Sequence, residues 1–210
     1  RHVEEGSGVG WPGGCRTGGP RVLAALQGRC HALTSPSPCC LSDNESVNDT
    51  ERPGSGDGWV TLDTGKVVWG RYGAAGMLLC HREGATDRLL LARRSHWVHG
   101  GNGEWSVPGG AIDAHEDPVE AALREFDEEI GAVPPGWRLA GIHEVVLQPG
   151  LWSYHTCCAL VDERPHYDAT LSPENDEAAW WTLDELEDMP LFTPFAQALP
   201  SLLEILTRSR

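Results

Sequence analysis

The chain has 210 residues, 40% of them hydrophobic and 22% charged, which is enough for one globular domain with a buried core. Its formal net charge of −15 at pH 7 argues against binding to a nucleic-acid polymer or an anionic membrane, because both partners need a basic protein surface. A small anionic ligand remains compatible with this charge, since a bound cation can reverse the local sign. The seven cysteines form no regular framework, which predicts free thiols in a reducing, cytoplasmic compartment.

The first part of the chain differs in composition from the rest. Residues 1–57 are rich in Gly, Pro, Ser and Asn, as in the segment 35–38 (Ser-Pro-Ser-Pro), and they show no sustained apolar period. The sequence does not begin with methionine. We therefore expect residues 1–57 to be a disordered or non-native tail, and residues 58–210 to form the folded domain.

The domain is predicted to begin with strands, and order should start near Trp59. The apolar runs 73–80 and 88–92 predict two neighbouring strands joined by a turn at 83–87. A glycine-containing loop is expected at 95–104. The segment 105–110 (Trp-Ser-Val-Pro-Gly-Gly) predicts a short strand that proline and glycine bring to an end.

A helix is predicted directly after this loop region. Asp117 is a favourable N-cap, Pro118 suits the first helical turn, and Glu120 stands at the capping-box position. Gly131 suits the position that ends a helix. These local signals predict a helix of about three turns.

The remaining elements alternate in type. Strands are predicted at 137–147, 152–161 and 178–183, followed by a short helix at 184–187 and an amphipathic helix at 195–207. Strands and helices mixed in this way, with antiparallel hairpins, predict an α/β sandwich.

The helix after Asp117 has an apolar stripe and an acidic face. The stripe recurs at helical spacing and consists of Val119, Ala122, Leu123, Phe126 and Ile130. The other side presents Glu125, Glu128 and Glu129, with Arg124 the one nearby cation. Like charges three or four residues apart destabilise a helix by about 0.2–0.5 kcal/mol per pair. A hard divalent cation such as Mg²⁺ would convert this repulsion into binding, whereas the ordinary alternative is a solvated acidic surface.

The residues around this face decide between the two interpretations. Their order and spacing are Gly110, five residues, Glu116, seven residues, Arg124-Glu125-Phe126, one residue, Glu128-Glu129, one residue, and Gly131-Ala132. This pattern resembles the Nudix box without a substitution. The preceding segment 105–110 and the later Glu177 with Trp180-Trp181 also resemble the family, over roughly residues 68–208. The segments 57–60 and 69–76 look like the start of bacterial, particularly actinobacterial, members.

The resemblance implies a fold and a reaction. The fold is an α/β/α sandwich with a mixed sheet and a catalytic loop-helix-loop. The reaction is cleavage of a small nucleotide, a nucleoside diphosphate linked to another moiety, by water activated by Mg²⁺, with Mn²⁺ as a substitute.

The resemblance also implies roles for individual residues. Glu125 and Glu129 would be the principal metal ligands, together with the carbonyl of Gly109. Glu128 would be a further ligand or the general base, and which glutamate is the base varies within the family. Arg124 would hold the glutamates, and Glu116 would fix the loop before the helix.

Acidic residues outside the helix are candidates for a further ligand or base. Glu174, Glu177 and Glu144 could each serve, or could be ordinary surface acids, and Glu177 is the preferred candidate of the three.

Candidate substrate-binding residues lie after the second strand. Arg93 and Arg94 could clamp phosphates or pair with surface carboxylates. Trp97, between His96 and His99, could stack a nucleobase or pack against the loop.

Several alternatives remain at this level. Cys157 and Cys158 beside His155 could form a nucleophile, although buried free thiols are commoner in strands. Isopentenyl-diphosphate isomerases share this fold but use a cysteine in the loop before the helix, where this chain has residues 107–110 (Val-Pro-Gly-Gly). Oxidised or canonical nucleoside triphosphates, ADP-ribose and nucleotide sugars are all open as substrates. A non-catalytic nucleotide-sensing regulator and an inactive scaffold are alternative functions, but both usually have eroded boxes.

Overall fold

The computed structural model describes residues 54–96, 98, 100–168 and 170–209. Most of the predicted tail, up to residue 53, and the candidate Trp97 lie outside the described residues. The strands are β1 (Trp59–Thr61), β2 (Val67–Trp69), β3 (Ala74–Glu83), β4 (Thr86–Arg94), β5 (Trp105–Ser106), β6 (Gly109–Ala111), β7 (Arg138–Gln148), β8 (Trp152–Val161) and β9 (Asn175–Thr182). The helices are α1 (Pro118–Glu129), α2 (Leu183–Leu186) and α3 (Thr193–Arg208).

The strands form two sheets. Strands β1 and β2 make a two-stranded antiparallel hairpin. The main sheet has the order β5-β4-β3-β8-β7, with β6 added to β3 and β9 added to β4. The pairing of β3 with β8 is parallel and the other pairings are antiparallel, so the predicted mixed sheet is confirmed.

Alternate residues of the main sheet bury two different cores. In β3, Met77 and Leu79 belong to the core that contains Phe126 of α1. Leu78, which lies between them, belongs to the core that contains Leu202 of α3. Because successive side chains of a strand point to opposite faces, α1 and α3 cover opposite faces of the sheet. The predicted α/β/α sandwich is therefore confirmed.

The segment 105–111 differs from the prediction. A single short strand was expected, but β5 pairs with β4 whereas β6 pairs with β3. Pro108, between the two, has no N–H to donate, while its carbonyl accepts a hydrogen bond from the Met77 N–H at 3.0 Å. Gly109 and Gly110 therefore continue the sheet on a new partner strand instead of ending it.

The start of the described chain contacts the domain. The Gly54 carbonyl accepts a hydrogen bond from the Ala114 N–H at 2.9 Å, and the Gly56 carbonyl accepts one from the Arg71 N–H at 2.7 Å. Both glycines belong to residues 1–57, which were predicted to form the tail. No helix in the part of the chain that the structure describes has the length and apolar character needed to cross a membrane.

Candidate active site

Local signals fix the position of α1. The Asp117 carboxylate accepts hydrogen bonds from the N–H groups of Val119 and Glu120 at 2.8 and 2.9 Å. The Glu120 carboxylate accepts one in return from the Asp117 N–H at 3.0 Å, which completes the predicted capping box. After α1, Gly131 has a φ of +129°, a conformation that side-chain-bearing residues rarely adopt.

The apolar stripe of α1 sets the direction of its acids. Ala122, Phe126 and Ile130 are fully buried, and Val119 and Leu123 pack against the same core. The ring of Phe126 meets Tyr167 edge to face at a centroid distance of 5.7 Å. Because one side of the helix is held against the sheet in this way, the opposite side must present its charged residues away from the core.

Arg124 connects the helix to the loop before it. Its guanidinium donates to both carboxylate oxygens of Glu116, at 2.7 and 2.8 Å, and to the Ala111 carbonyl at 2.8 Å. It also donates to Glu125 Oε1 at 2.7 Å and lies 3.6 Å from Glu128 Oε2. Glu116 in turn accepts the Asp113 N–H at 3.0 Å. Arg124 and Glu116 therefore hold the loop and the first glutamate as one unit.

Two glycines let the loop approach its neighbours closely. A Cβ on Gly109 would overlap the backbone of Ala75 and Gly76 in β3. A Cβ on Gly110 would overlap the carboxylate of Glu125. The Glu125 carboxylate thus lies directly over the Gly110 backbone. It is next to Gly109, whose carbonyl is the predicted metal ligand.

Replacing Gly110 with alanine is expected to displace the Glu125 carboxylate, since the added methyl group would occupy its position. Misplacing a reacting group by about 1 Å can cost roughly 100-fold in rate, so we expect kcat to fall by at least about tenfold. Steady-state kinetics and a thermal melt check this. An unchanged kcat in a folded variant would show that the position of Glu125 does not matter for the reaction.

Glu129 is partly buried and is held by a side chain of β9. Its Oε2 accepts a hydrogen bond from the Asn175 side chain at 3.1 Å. Burial raises the pKa of Glu129 to about 8, and the charges of Glu125 and Glu174 act in the same direction, while the Asn175 bond and Arg94 oppose them. Burial also raises the pKa of Glu125, opposed by the hydrogen bond and charge of Arg124. Burial is the main cause of both shifts, and a cation bound beside these carboxyl groups would favour their charged forms.

An open cavity of about 680 Å³, here called the α1 cavity, brings the helix acids together with other segments. The predicted residues that line it are Gly109, Arg124, Glu125, Glu128, Glu129, Arg94 and Glu174. In the described residues, no three Asp, Glu, His or Cys side chains are grouped closely enough to hold a metal ion. Glu125 is engaged with Arg124, and the Glu128 side chain is 55% exposed.

Other predicted residues lie elsewhere. Arg93 pairs with Glu177 across β4 and β9, with Arg93 Nη2 and Glu177 Oε2 3.3 Å apart, and neither lines the α1 cavity. Glu177 lines a separate cavity of about 440 Å³. Glu144 is exposed on β7, and its carboxylate lies 3.9 Å from His155 Nε2. Of the three extra acids, the structure places Glu174 at the α1 cavity, not the preferred Glu177.

Several residues at the site were not among those predicted from the sequence, Asn175, Asp57, Trp59 and Trp69 being the most informative. Asn175 reaches Glu129 through pairing of β9 with β4, which no local pattern shows. Asp57, Trp59 and Trp69 line the α1 cavity from the β1–β2 hairpin and the residues before it. The sequence does contain a signal for the two tryptophans. Trp59 is next to Val60 and Trp69 is next to Val68 in two short apolar runs, and adjacent residues of a strand lie on opposite faces, so one residue of each pair is expected to be exposed.

The cysteines near His155 are buried free thiols. Cys157 and Cys158 are both fully buried, and the sulfur of Cys157 lies 3.5 Å from the Pro118 carbonyl. Burial raises the pKa of Cys157 to about 11 and that of Cys158 to about 12. His155 Nε2 lies 3.2 Å from Ser153 Oγ. This arrangement agrees with packing thiols and does not supply an activated nucleophile.

The two thiols are expected to resist alkylation in the native protein. Because burial raises each pKa, the reactive thiolate is scarce at pH 8 and increases only as the pH approaches about 11. Iodoacetamide labelling followed by peptide mass spectrometry checks this for the peptide that contains Cys157 and Cys158. Labelling in urea is the control, and equally fast labelling in buffer at pH 8 would contradict the burial argument.

Comparison with known proteins agrees with this geometry. The family model of the NUDIX domain matches residues 70–203. A Mycobacterium tuberculosis protein named 8-oxo-dGTP diphosphatase 3 is 39% identical over 148 residues, which cover 68% of this chain and 67% of the relative. A nucleoside triphosphate pyrophosphatase/Nudix hydrolase fusion protein of Bifidobacterium longum is 33% identical, covering 70% of this chain and 30% of the relative.

Solved structures show the same fold. A Nudix hydrolase of M. smegmatis superposes with a TM-score of 0.65 at 35% identity, covering 73% of this chain and 96% of that one. The Nudix domain of Shewanella oneidensis NrtR superposes with a TM-score of 0.50 at 22% identity, covering 66% of this chain and 90% of that one. The chain therefore belongs to the Nudix family and is a hydrolase that acts on phosphorus-containing anhydrides.

Proposed function

We propose that this chain is a Mg²⁺-dependent hydrolase that cleaves a nucleoside diphosphate linked to another moiety by attack of water on phosphorus. The observation that carries the proposal is the grouping of Glu125, Glu128 and Glu129 of α1 on one cavity, with Glu125 and Glu129 partly buried. A buried carboxylate without a cation is unfavourable, and a bound divalent ion would compensate its charge.

The donor set suits a hard cation. Mg²⁺ prefers oxygen ligands and is commonly bound by a few carboxylates together with phosphate oxygens of the substrate. Glu125, Glu129 and the Gly109 carbonyl would hold it, with Glu128 as a further ligand, and Mn²⁺ would substitute. Bound there, the ion would polarise a phosphoryl oxygen and lower the pKa of a water molecule.

The protein side chains would supply positioning and proton transfer. Arg124 and Glu116 would keep Glu125 in place through the hydrogen bonds described above. Glu128, the more exposed of the acids, would orient the attacking water or accept its proton, as the Nudix resemblance implies. Arg94, which lines the same cavity, would contact the substrate phosphates. One guanidinium group can donate two parallel hydrogen bonds to the oxygens of a phosphate.

Among the substrates, an oxidised purine nucleoside triphosphate is the first candidate. The relative at 39% identity is named for 8-oxo-dGTP, which favours this class over ADP-ribose and nucleotide sugars. The free thiols of Cys157 and Cys158 are compatible with a reducing compartment such as the cytoplasm.

A panel of nucleotides incubated with Mg²⁺ tests the proposal. The panel contains 8-oxo-dGTP, the four canonical triphosphates, ADP-ribose and a nucleotide sugar, and the products are separated by ion-exchange chromatography. We expect a nucleoside monophosphate and pyrophosphate from at least one triphosphate. Tight binding of a nucleotide without turnover of any member would contradict the proposal and favour a nucleotide-sensing regulator.

A further inference from the structure

The β1–β2 hairpin displays two tryptophans on its outer face. Trp59 and Trp69 are directly opposite each other in the antiparallel register, and their rings meet at a centroid distance of 5.0 Å and an angle of 72°. They are 55% and 39% exposed. The intervening Val60 and Val68 face inward and pack in a small core with Trp152. One face of the hairpin thus supplies packing, and the other presents aromatic surface.

Hydrogen bonds hold this hairpin beside the loop before α1. The segment before β1 binds the loop through the Gly56 N–H, which donates to the Asp113 carboxylate at 2.6 Å. The same segment binds the residue after β2, because the Gly58 carbonyl accepts the Gly70 N–H at 2.9 Å. The indole N–H of Trp152 donates to the Gly70 carbonyl at 2.9 Å. The tryptophans therefore occupy a defined position relative to the loop before α1.

The tryptophans share the α1 cavity with the helix acids. The lining of this cavity includes Trp59 and Trp69 as well as Glu125, Glu128 and Glu129. Large aromatic side chains that stay exposed at a cavity commonly mark a binding surface. Their flat faces stack on any nucleobase, whereas a polyphosphorylated sugar alcohol has no planar ring to offer.

We propose that the Trp59–Trp69 pair forms a platform for the nucleobase of the substrate, with one indole stacking on the base and the other held edge to face beside it, while the phosphates lie at the acids of α1. This inference rests on the proposed function, since it assigns the base end of the same substrate. It selects nucleotides with a planar base over phosphorylated polyols. It also assigns specificity to the hairpin, which lies outside the helix and loop that carry the reaction.

Equilibrium binding, measured by calorimetry on the full chain, tests the platform without requiring turnover. The probe is an α,β-methylene deoxyguanosine triphosphate, which cannot be cleaved at that bond, and inorganic tripolyphosphate serves as the probe without a base. Trp59→Ala and Trp69→Ala are compared with Trp59→Phe and Trp69→Phe. Tyr72→Ala is the matched control, because Tyr72 is 53% exposed but does not line the α1 cavity.

The alanine variants are expected to weaken binding of the nucleotide by about tenfold or more, the loss typical of one stacked base, and the phenylalanine variants to restore most of it. Tripolyphosphate binding should stay within about twofold in all variants, and Tyr72→Ala should behave like the wild type. Unchanged nucleotide affinity in both alanine variants would overturn the platform, as would an equal loss for tripolyphosphate. Neither result depends on the nucleotide panel, which tests the proposed function separately.

Discussion

Replacing Glu129 with glutamine is expected to lower kcat/KM by about 100-fold or more while the domain stays folded. Glutamine has nearly the same shape, and its carbonyl oxygen can still accept the hydrogen bond from Asn175. It lacks the negative charge that would hold a divalent cation in an enclosed position. Because glutamine keeps the shape of the side chain and the bond from Asn175, the melting temperature in EDTA should be no lower than that of the wild type.

Asp127→Asn is the matched control for this variant. Asp127 lies on the same helix and is exposed, but it does not line the α1 cavity. Its replacement removes the same charge from α1 and should change kcat/KM by less than about twofold, because its interactions with the other helix acids are worth only a few tenths of a kcal/mol. Near-normal rates in the Glu129→Gln variant would remove Glu129 from the metal site.

Replacing Arg124 with alanine is expected to cause the largest loss of stability. The substitution leaves Glu116 and Glu125, which are 20% and 14% exposed, without their shared cation, and it removes the donor to the Ala111 carbonyl. Breaking a buried ion pair by removing one partner lowers the free energy of unfolding by about 3–5 kcal/mol. Because these side chains are partly exposed to solvent, we expect the lower end of that range, about 3 kcal/mol. Urea unfolding followed by circular dichroism measures it, and the same variant should lose most activity because Glu125 is no longer held.

Arg208→Ala provides the comparison. Arg208 pairs with Glu204 at 2.8 Å on α3, but the two side chains are 75% and 68% exposed, so its removal should cost less than about 1 kcal/mol. Arg124→Lys should keep the charge but lose the simultaneous bonds to Glu116, Glu125 and Ala111. If Arg124→Ala were no more destabilising than Arg208→Ala, the network around Glu116 would not contribute to the stability of the loop.

Local chemistry explains why α1 could be predicted from the sequence. Asp117, Glu120 and Gly131 are capping signals that act within a few residues of the helix ends, and the structure confirms each of them. The spacing of Phe126 and Ile130 likewise predicts which side is buried. The helix and the orientation of its glutamates depend on contacts that are close in the sequence.

The rest of the site depends on strand pairing, which the local sequence does not contain. Asn175 reaches Glu129 only because β9 pairs with β4, and the same pairing turns Arg93 toward Glu177. Gly109 and Gly110 have the composition of a strand end, but their partner in β3 makes them part of the sheet. Residues that share a cavity through long-range pairing could not be assigned from spacing alone.

The metal dependence of turnover tests the central claim most directly. The wild-type chain is treated with EDTA, dialysed, and assayed with the best substrate of the panel while Mg²⁺ is added back from zero to millimolar concentration. We expect no measurable hydrolysis without the ion, saturable recovery as it is added, and nucleoside monophosphate and pyrophosphate as products. Full hydrolysis in the EDTA-treated protein would contradict a metal site formed by Glu125, Glu128 and Glu129.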